Sequence, residues 1–170
     1  MKQDSILFLA FLTATASAVY IVENLIMSML PIPFIRIGLS NVVLLYLVYH
    51  RRILSAFVVA IAKSVIGALA TFSLLSPMLA LSLAGGLAAV CLMSMGLFIR
   101  PRFSMFGISV LGAIGHNAAQ LLLVRSWLIR NDGLFVLTPI LILLGLISGI
   151  ITAYFCLYIE EKIPSLRVTT

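Results

Sequence analysis

The feature that most constrains this chain is a succession of long apolar stretches separated by short polar breaks. Hydrophobic residues make up 63% of its 170 residues and charged residues only 9%, against about 45–50% and about 25% in typical soluble domains. Five acidic and eleven basic side chains could not cover the surface of a soluble domain of this size. The composition therefore predicts an integral membrane protein, and it excludes a cytosolic globular enzyme, a disordered chain and a disulfide-stapled secreted domain.

The breaks divide the chain into six segments, and a membrane-spanning helix needs about 20 mostly apolar residues. Pro31 and Pro33 end the first segment, and Ser76-Pro77 ends the third, because proline cannot continue a helix. The second segment is short for a bilayer, which leaves five spans as the alternative. We predict a single all-α membrane domain over residues 1–170, a six-transmembrane-helix bundle with helices at about 5–30, 34–49, 53–75, 78–99, 103–124 and 134–159.

The distribution of basic residues predicts the orientation. With six spans and the N-terminus inside, seven Lys and Arg residues fall on the cytoplasmic side and three on the outer side, as the positive-inside rule requires. Both termini are therefore expected in the cytoplasm. The net charge of +6 fits loops that face anionic lipid, and we expect no nucleic-acid partner. Ala16-Ser17-Ala18 resembles a signal-peptidase site, but the chain after it stays apolar, so we expect an uncleaved first helix.

Polar side chains inside the apolar segments are the candidates for a binding site, because ionisable groups in hydrocarbon are costly and usually mark function. At 1.5 Å per residue they lie in the outer half of the bundle, with Lys63 near the middle, which describes a cup open to the outside. His116 and Gln120 share a helix face by their four-residue spacing. The predicted substrate-binding residues are Glu23, Asn24, Arg36, Asn41, Lys63, His116, Asn117 and Gln120.

Two interpretations of these polar residues remain open. In the first, Arg36 holds an anionic group of a ligand, Glu23 holds a cationic or hydroxyl group, and the amides orient it. In the second, Glu23 pairs with Arg36 or Lys63, and His116 with Asn117 satisfies backbone carbonyls. The second interpretation would make the polar residues structural.

Ala10, Ala14 and Ala18 repeat every four residues along the first helix. Small residues let membrane helices approach closely, so this stripe could pack inside the bundle or receive a helix of another protein. Spacing alone favours internal packing. For the glycine and serine stripes of the third, fourth and sixth segments we likewise expect internal packing.

Motifs for catalysis and for metal binding are missing from the sequence. The chain has no phosphate-binding G-x-x-x-x-G-K-[ST] loop, and Asp4 and Asp132 are its only aspartates, too far apart to hold magnesium and a diphosphate. Cys91 and Cys156 show no metal-ligand spacing, and we expect both to be small buried hydrophobic residues. We therefore predict no catalytic residues, no metal site and no bound cofactor of its own.

Four motifs resemble the bacterial Gx transporter family, also described as heptaprenyl diphosphate synthase component I. They are Y-I-V-E-N-L-I at residues 20–26, P-F-I-R-I-G-L-S-N at 33–41, L-S-L-A-G-G at 81–86 and G-A-I-G-H-N-A-A-Q at 112–120. That family is similar to the substrate-binding S components of energy-coupling factor (ECF) transporters. These are six-helix proteins of the bacterial cytoplasmic membrane that capture vitamins or metal ions from outside.

The resemblance implies partners as well as a fold. An A-x-x-x-A motif on the first helix of S components docks on a transmembrane coupling subunit that works with ATPases, and Ala10, Ala14 and Ala18 match that motif. Lys63 stands where related sequences carry arginine. Members of the Gx transporter family are also similar to a membrane component of flavin-based extracellular electron transfer. This similarity makes a flavin-like or quinone-like ligand the alternative. The expectation is a capture subunit that is not an enzyme and that contacts lipid, an ECF module and a small-molecule substrate.

Overall fold

The computed structural model of the chain describes residues 2–28, 38–99, 103–128, 136 and 138–162. Within these ranges the protein is helical and has no strand. The helices are α1 (Lys2–Ser28), α2 (Asn41–Tyr49), α3 (Ile53–Ala70), α4 (Pro77–Phe98), α5 (Met105–Leu123), which a π-helical turn continues over Val124–Leu128, and α6 (Thr138–Lys162).

The starts of α4 and α5 follow from local sequence. Ser76 caps α4 by accepting a hydrogen bond from the N–H of Met78 at 3.1 Å, and Pro77 occupies the first helical turn, where its missing N–H is harmless. Ser104 caps α5 in the same way and accepts from the N–H of Gly107 at 3.3 Å. Each serine satisfies one of the donors that a helix start leaves unpaired.

Five of the helices are long and apolar enough to cross a membrane, with candidate spans at Ile6–Ile26, Ile53–Ala70, Pro77–Phe98, Met105–Trp127 and Thr138–Lys162. The protein is therefore a multi-pass membrane protein. α2 does not qualify, because its nine residues extend only about 13 Å at 1.5 Å per residue. Many large apolar side chains are exposed on the outside of the bundle, where they face lipid.

The expectation of one continuous helix over residues 34–49 is wrong at residues 38–40, which form a turn. Gly38 has a φ of +77°, a left-handed conformation that only glycine adopts without penalty. A turn follows it, in which the N–H of Asn41 donates to the carbonyl of Gly38 at 2.8 Å. The helix consequently starts only at Asn41. Residues 29–37, which include Pro31, Pro33 and Arg36, lie outside the described part of the chain.

α2 is the centre of the bundle, because it contacts each of the other five α-helices. Leu44, Leu45, Leu47 and Val48 are fully buried, so this short helix is apolar on all sides. A helix of that kind has to be surrounded by protein. α2 thus fills the middle of one half of the bundle with tightly packed hydrocarbon.

Glycines set the distances between the longer helices. A Cβ added to Gly149 of α6 would lie 2.7 Å from the Cα of Val110 of α5, and one added to Gly67 of α3 would lie 2.3 Å from the ring of Tyr20. Such close approach provides the van der Waals packing that holds membrane helices together. The glycine and serine stripes of α3, α4 and α6 are buried, as expected. Cys156 is buried as well, but Cys91 is exposed, which corrects the expectation for that residue.

Two contacts place the start of α1 and the end of α6 beside the turn between α2 and α3. The Arg52 guanidinium carbon lies 5.7 Å from the centre of the Phe8 ring near the start of α1. His50 Nε2, just after α2, lies 3.2 Å from Glu160 Oε1 near the end of α6. We call this end of the bundle the terminal end, and the opposite end, where α1 finishes and α2 begins, the cavity end.

Candidate functional site

The turn at residues 38–41 is the polar centre of the cavity end. Side chains of two other helices bind the backbone N–H and carbonyl of Gly38 in this turn. The N–H of Gly38 donates to Glu23 Oε1 of α1, and the carbonyl of Gly38 accepts from Thr152 Oγ1 of α6 at 3.5 Å. The turn therefore joins α1 and α6 to the start of the central helix.

Lys63 of α3 contacts the same turn. Its side chain is only 2% exposed, and its ammonium donates to Ser40 Oγ at 3.0 Å and to Asn41 Oδ1 at 2.6 Å. A buried cation in a membrane helix is costly unless polar groups of the bundle surround it. The side-chain oxygens of Ser40 and Asn41 provide such surroundings, and the two bonds bring a third helix to the turn.

α5 contributes the remaining candidates. The His116 ring packs so closely against α4 that a Cβ on Gly85 would lie 2.7 Å from its Cε1. Asn117 Nδ2 donates to the carbonyl of Leu141 in α6 at 2.9 Å. Gln120 Nε2 lies 3.4 Å from the carbonyl of Leu81 in α4. α5 is thereby tied to both neighbouring helices at this depth.

These groups enclose a small polar cavity of about 20 Å³, which is room for one water molecule or slightly more. Gln120 lies outside its lining, and Arg36 is outside the described residues. The structure thus brings together polar residues of four helices that are far apart in sequence. The candidates that line the cavity are Glu23, Asn24, Asn41, Lys63, His116 and Asn117.

Other lining residues were not among the predicted ones. Tyr20 lies one helical turn before Glu23, and this spacing could have identified it. Ser82 lines the cavity and hydrogen-bonds to Ser64 with 2.9 Å between the hydroxyl oxygens. Gly38 and Ser148 also line it, and nothing in the sequence around Ser148 distinguishes it from other small residues of an apolar helix.

Both interpretations of the polar residues find support in these contacts. Glu23 bonds to a backbone N–H and Asn117 to a backbone carbonyl, as a structural role requires. The same side chains nevertheless line a common cavity instead of forming separate pairs with apolar packing between them. The contacts that hold the helices together therefore lie beside the cavity, and ligand binding by these residues stays a prediction.

The alanine stripe of α1 lies on the outside of the bundle. Ala10, Ala14 and Ala18 are exposed, whereas Ala16 between them is fully buried. Internal packing, which spacing alone favoured for the stripe, is therefore wrong for these three residues. Docking of another helix on them stays a prediction.

With the geometry described, the chain can be compared with known proteins. The family described as heptaprenyl diphosphate synthase component I matches residues 12–159, which is most of the chain and includes every residue that lines the cavity. The protein belongs to this family. No curated protein and no solved structure matches it. The resemblance of the four motifs is confirmed, and membership establishes a membrane component without naming its substrate.

Proposed function

We propose that this heptaprenyl diphosphate synthase component I family member is the substrate-capture subunit of an energy-coupling factor type transporter. The observation that carries the proposal is the convergence of Glu23, Asn41, Lys63 and His116 on one cavity. Ionisable groups inside a membrane bundle usually mark a substrate path, and among the described residues the buried Glu23, Asn41 and Lys63 side chains all contact the turn at the cavity end. A capture site open to one side needs this distribution, whereas a channel needs polar groups along its whole length.

In this proposal the cavity end faces outward and the terminal end faces the cytoplasm of a bacterial cell. The captured molecule is small and vitamin-like. Amides of Asn24 and Asn41 orient it, and Glu23 binds a cationic or hydroxyl group. The cavity of about 20 Å³ is smaller than such a molecule, so binding requires the lining helices to separate. Arg36 is the proposed partner for an anionic group.

The transport step requires partners, because the proposal assigns no ATP hydrolysis and no catalysis to this chain. The exposed alanines of α1 would receive a helix of the coupling subunit, since small side chains permit close approach of helices. ATPases bound to that subunit would provide the energy.

Native mass spectrometry of the protein in mild detergent tests the capture function. We expect a retained molecule of vitamin-like mass that disappears in the Asn41→Ala variant and persists in a Leu54→Ala variant on the lipid-facing surface. A protein that carries no small molecule after purification from cells, and that gains none from a panel of vitamins, would contradict the proposal. A reporter enzyme that is active only outside the cell, fused after Thr170, should be silent.

The family description favours a second candidate, a non-transporting membrane component of isoprenoid or quinone metabolism, and the motif resemblance adds flavin-based electron transfer to it. A retained prenyl, quinone or flavin mass in the same experiment would favour it. Neighbouring genes discriminate as well, because ATPase and coupling-subunit genes favour transport, and flavoprotein or quinone genes favour the second candidate.

A further inference from the structure

The turn between α2 and α3 has an unusual backbone. The N–H of Arg52 donates to the carbonyl of Leu47 at 2.8 Å, and the N–H of Arg51 donates to the carbonyl of Val48 at 2.9 Å. These are the two hydrogen bonds of a Schellman motif, which places Arg51 at the left-handed position with a φ of 58°. Glycine is the usual residue there, because it has no Cβ to clash. Arg51 instead keeps a full side chain at this strained position.

The far end of α3 repeats the arrangement with an apolar residue. Phe72 has a φ of 52°, and the N–H of Ser73 donates to the carbonyl of Ala68 at 2.8 Å. Phe72 is 97% exposed. The 18 residues of α3 between the two turns extend about 27 Å, close to the hydrocarbon thickness of a bilayer, about 30 Å. Arg51 and Phe72 therefore lie near the two borders of the hydrocarbon, and Arg51 lies at headgroup level.

Two positive charges stand side by side at this border. Arg51 is exposed, and the Arg52 guanidinium is held over the Phe8 ring, a cation–π contact that fixes its direction. Glu160, a carboxylate that reaches the turn, contacts His50 rather than an arginine. Among the side chains that the structure describes, no carboxylate forms an ion pair with either arginine.

An apolar surface begins directly beside the arginines. Leu54, Val58 and Ile61 are exposed and recur at helical spacing along one face of α3. Leu54 is 83% exposed, and it follows Arg52 by two residues. A molecule with a negative headgroup and long hydrocarbon chains fits both surfaces at once. An acidic protein segment would match the arginines but not the stripe that descends into the membrane.

We propose that Arg51 and Arg52 form a binding site for the phosphate of an anionic phospholipid whose acyl chains lie along Leu54, Val58 and Ile61. Arginine binds phosphate through two parallel charge-assisted hydrogen bonds. The lipid is bound at the terminal end, away from the cavity, so the site does not depend on the proposed substrate. Arg51 keeps its strained backbone because glycine could not bind the phosphate.

The test uses the full-length protein in nanodiscs of phosphatidylcholine mixed with phosphatidylglycerol, with bound lipid counted by native mass spectrometry. The Arg51→Gly variant should bind about fivefold less phosphatidylglycerol, the expected effect of one arginine near a membrane surface. In pure phosphatidylcholine the same variant should melt at a higher temperature than the wild type, because glycine relieves the left-handed strain. Arg51→Lys should keep part of the phosphatidylglycerol binding and should melt at the temperature of the wild type.

Phe72→Gly is the matched control, since it removes the same backbone strain at the other end of α3 without removing a charge. It should raise the melting temperature and leave phosphatidylglycerol binding unchanged. The proposal is overturned if Arg51→Gly binds phosphatidylglycerol as well as the wild type, or if Phe72→Gly loses it equally. Millimolar inorganic phosphate that displaces the lipid and stabilises the protein to the same extent would assign the site to soluble phosphate and overturn the lipid assignment.

A wild type without preference for phosphatidylglycerol over phosphatidylcholine would also overturn the proposal. If Arg51→Gly in that case abolished assembly with cytoplasmic proteins, the arginines would belong to a protein interface.

Discussion

In the half of the bundle near the terminal end, α2 packs Leu44, Leu47 and Val48 against apolar side chains of its neighbours. In the half near the cavity end, the first residue of the same helix, Asn41, and the preceding Ser40 accept hydrogen bonds from Lys63. One nine-residue helix therefore belongs to both halves, with buried apolar side chains after its first turn and a polar cluster at its amino end. Because α2 has only nine residues, the apolar half that it fills ends where the polar cluster begins.

The difference separates two tasks within one fold. The apolar half gains its stability from close packing, which tolerates neither voids nor added volume. The polar half depends on hydrogen bonds between helices, each of modest net worth in a membrane. It also contains the cavity. The proposed capture function requires a bundle that opens at one end for a ligand and stays closed at the other, which fits this division, and the following predictions test it.

The largest loss of stability is expected from Leu47→Ala. Leu47 is fully buried in the apolar half, and truncating such a side chain leaves a void that costs about 2–5 kcal/mol of unfolding free energy. Thermal unfolding in detergent measures the loss, and ligand retention per folded molecule should not change. Leu54→Ala, which shortens a lipid-facing side chain near the same end, is the control and should change stability little. Equal effects would mean that this half is not tightly packed.

Gly149→Ala should come next, with a loss of about 1–3 kcal/mol through overpacking. Its new Cβ would meet the backbone of Val110 at 2.7 Å, so α5 and α6 must move apart. Gly86→Ala is the matched control, because its Cβ would meet Ala60 Cβ at an ordinary 3.6 Å. The melting temperatures of the two variants measure this difference in stability. If Gly86→Ala is the more damaging, the glycine contacts do not set the helix distances.

Part of this division was predictable from sequence. The apolar periods and breaks predicted the long helices, and the depth of Glu23, Lys63 and His116 predicted a polar region in one half. The start of α2 was not predictable, because a glycine inside an apolar segment does not reveal a φ of +77°. The position of the alanine stripe could not be read either, since four-residue spacing fits an inner and an outer face equally.

Adjacent residues of α5 should separate binding from structure. Asn117→Ala leaves the carbonyl of Leu141 without its side-chain donor, so we expect a loss of about 1 kcal/mol together with weaker ligand retention. The sequence left both roles open for Asn117, and the bond to Leu141 now adds a loss of stability to the weaker binding expected from sequence. His116→Ala enlarges a polar cavity that water can fill, so it should weaken ligand retention with a smaller loss of stability. Native mass spectrometry measures ligand retention in both variants, and thermal unfolding measures their stability. If His116→Ala were less stable than Asn117→Ala, the assignment of His116 to binding would be contradicted.

The smallest effect on the bundle itself is expected from Ala14→Trp. Ala14 is exposed on α1, so a large side chain can extend into lipid, and stability should change by less than about 0.5 kcal/mol. Close approach of a partner helix would be blocked, however, because small residues make it possible. Copurification with a coupling subunit should therefore fail while ligand retention persists. Ala16→Trp, two residues away and fully buried, is the control and should unfold the protein. Normal assembly of Ala14→Trp would remove α1 from the docking surface and leave the cavity as the only support for the capture function.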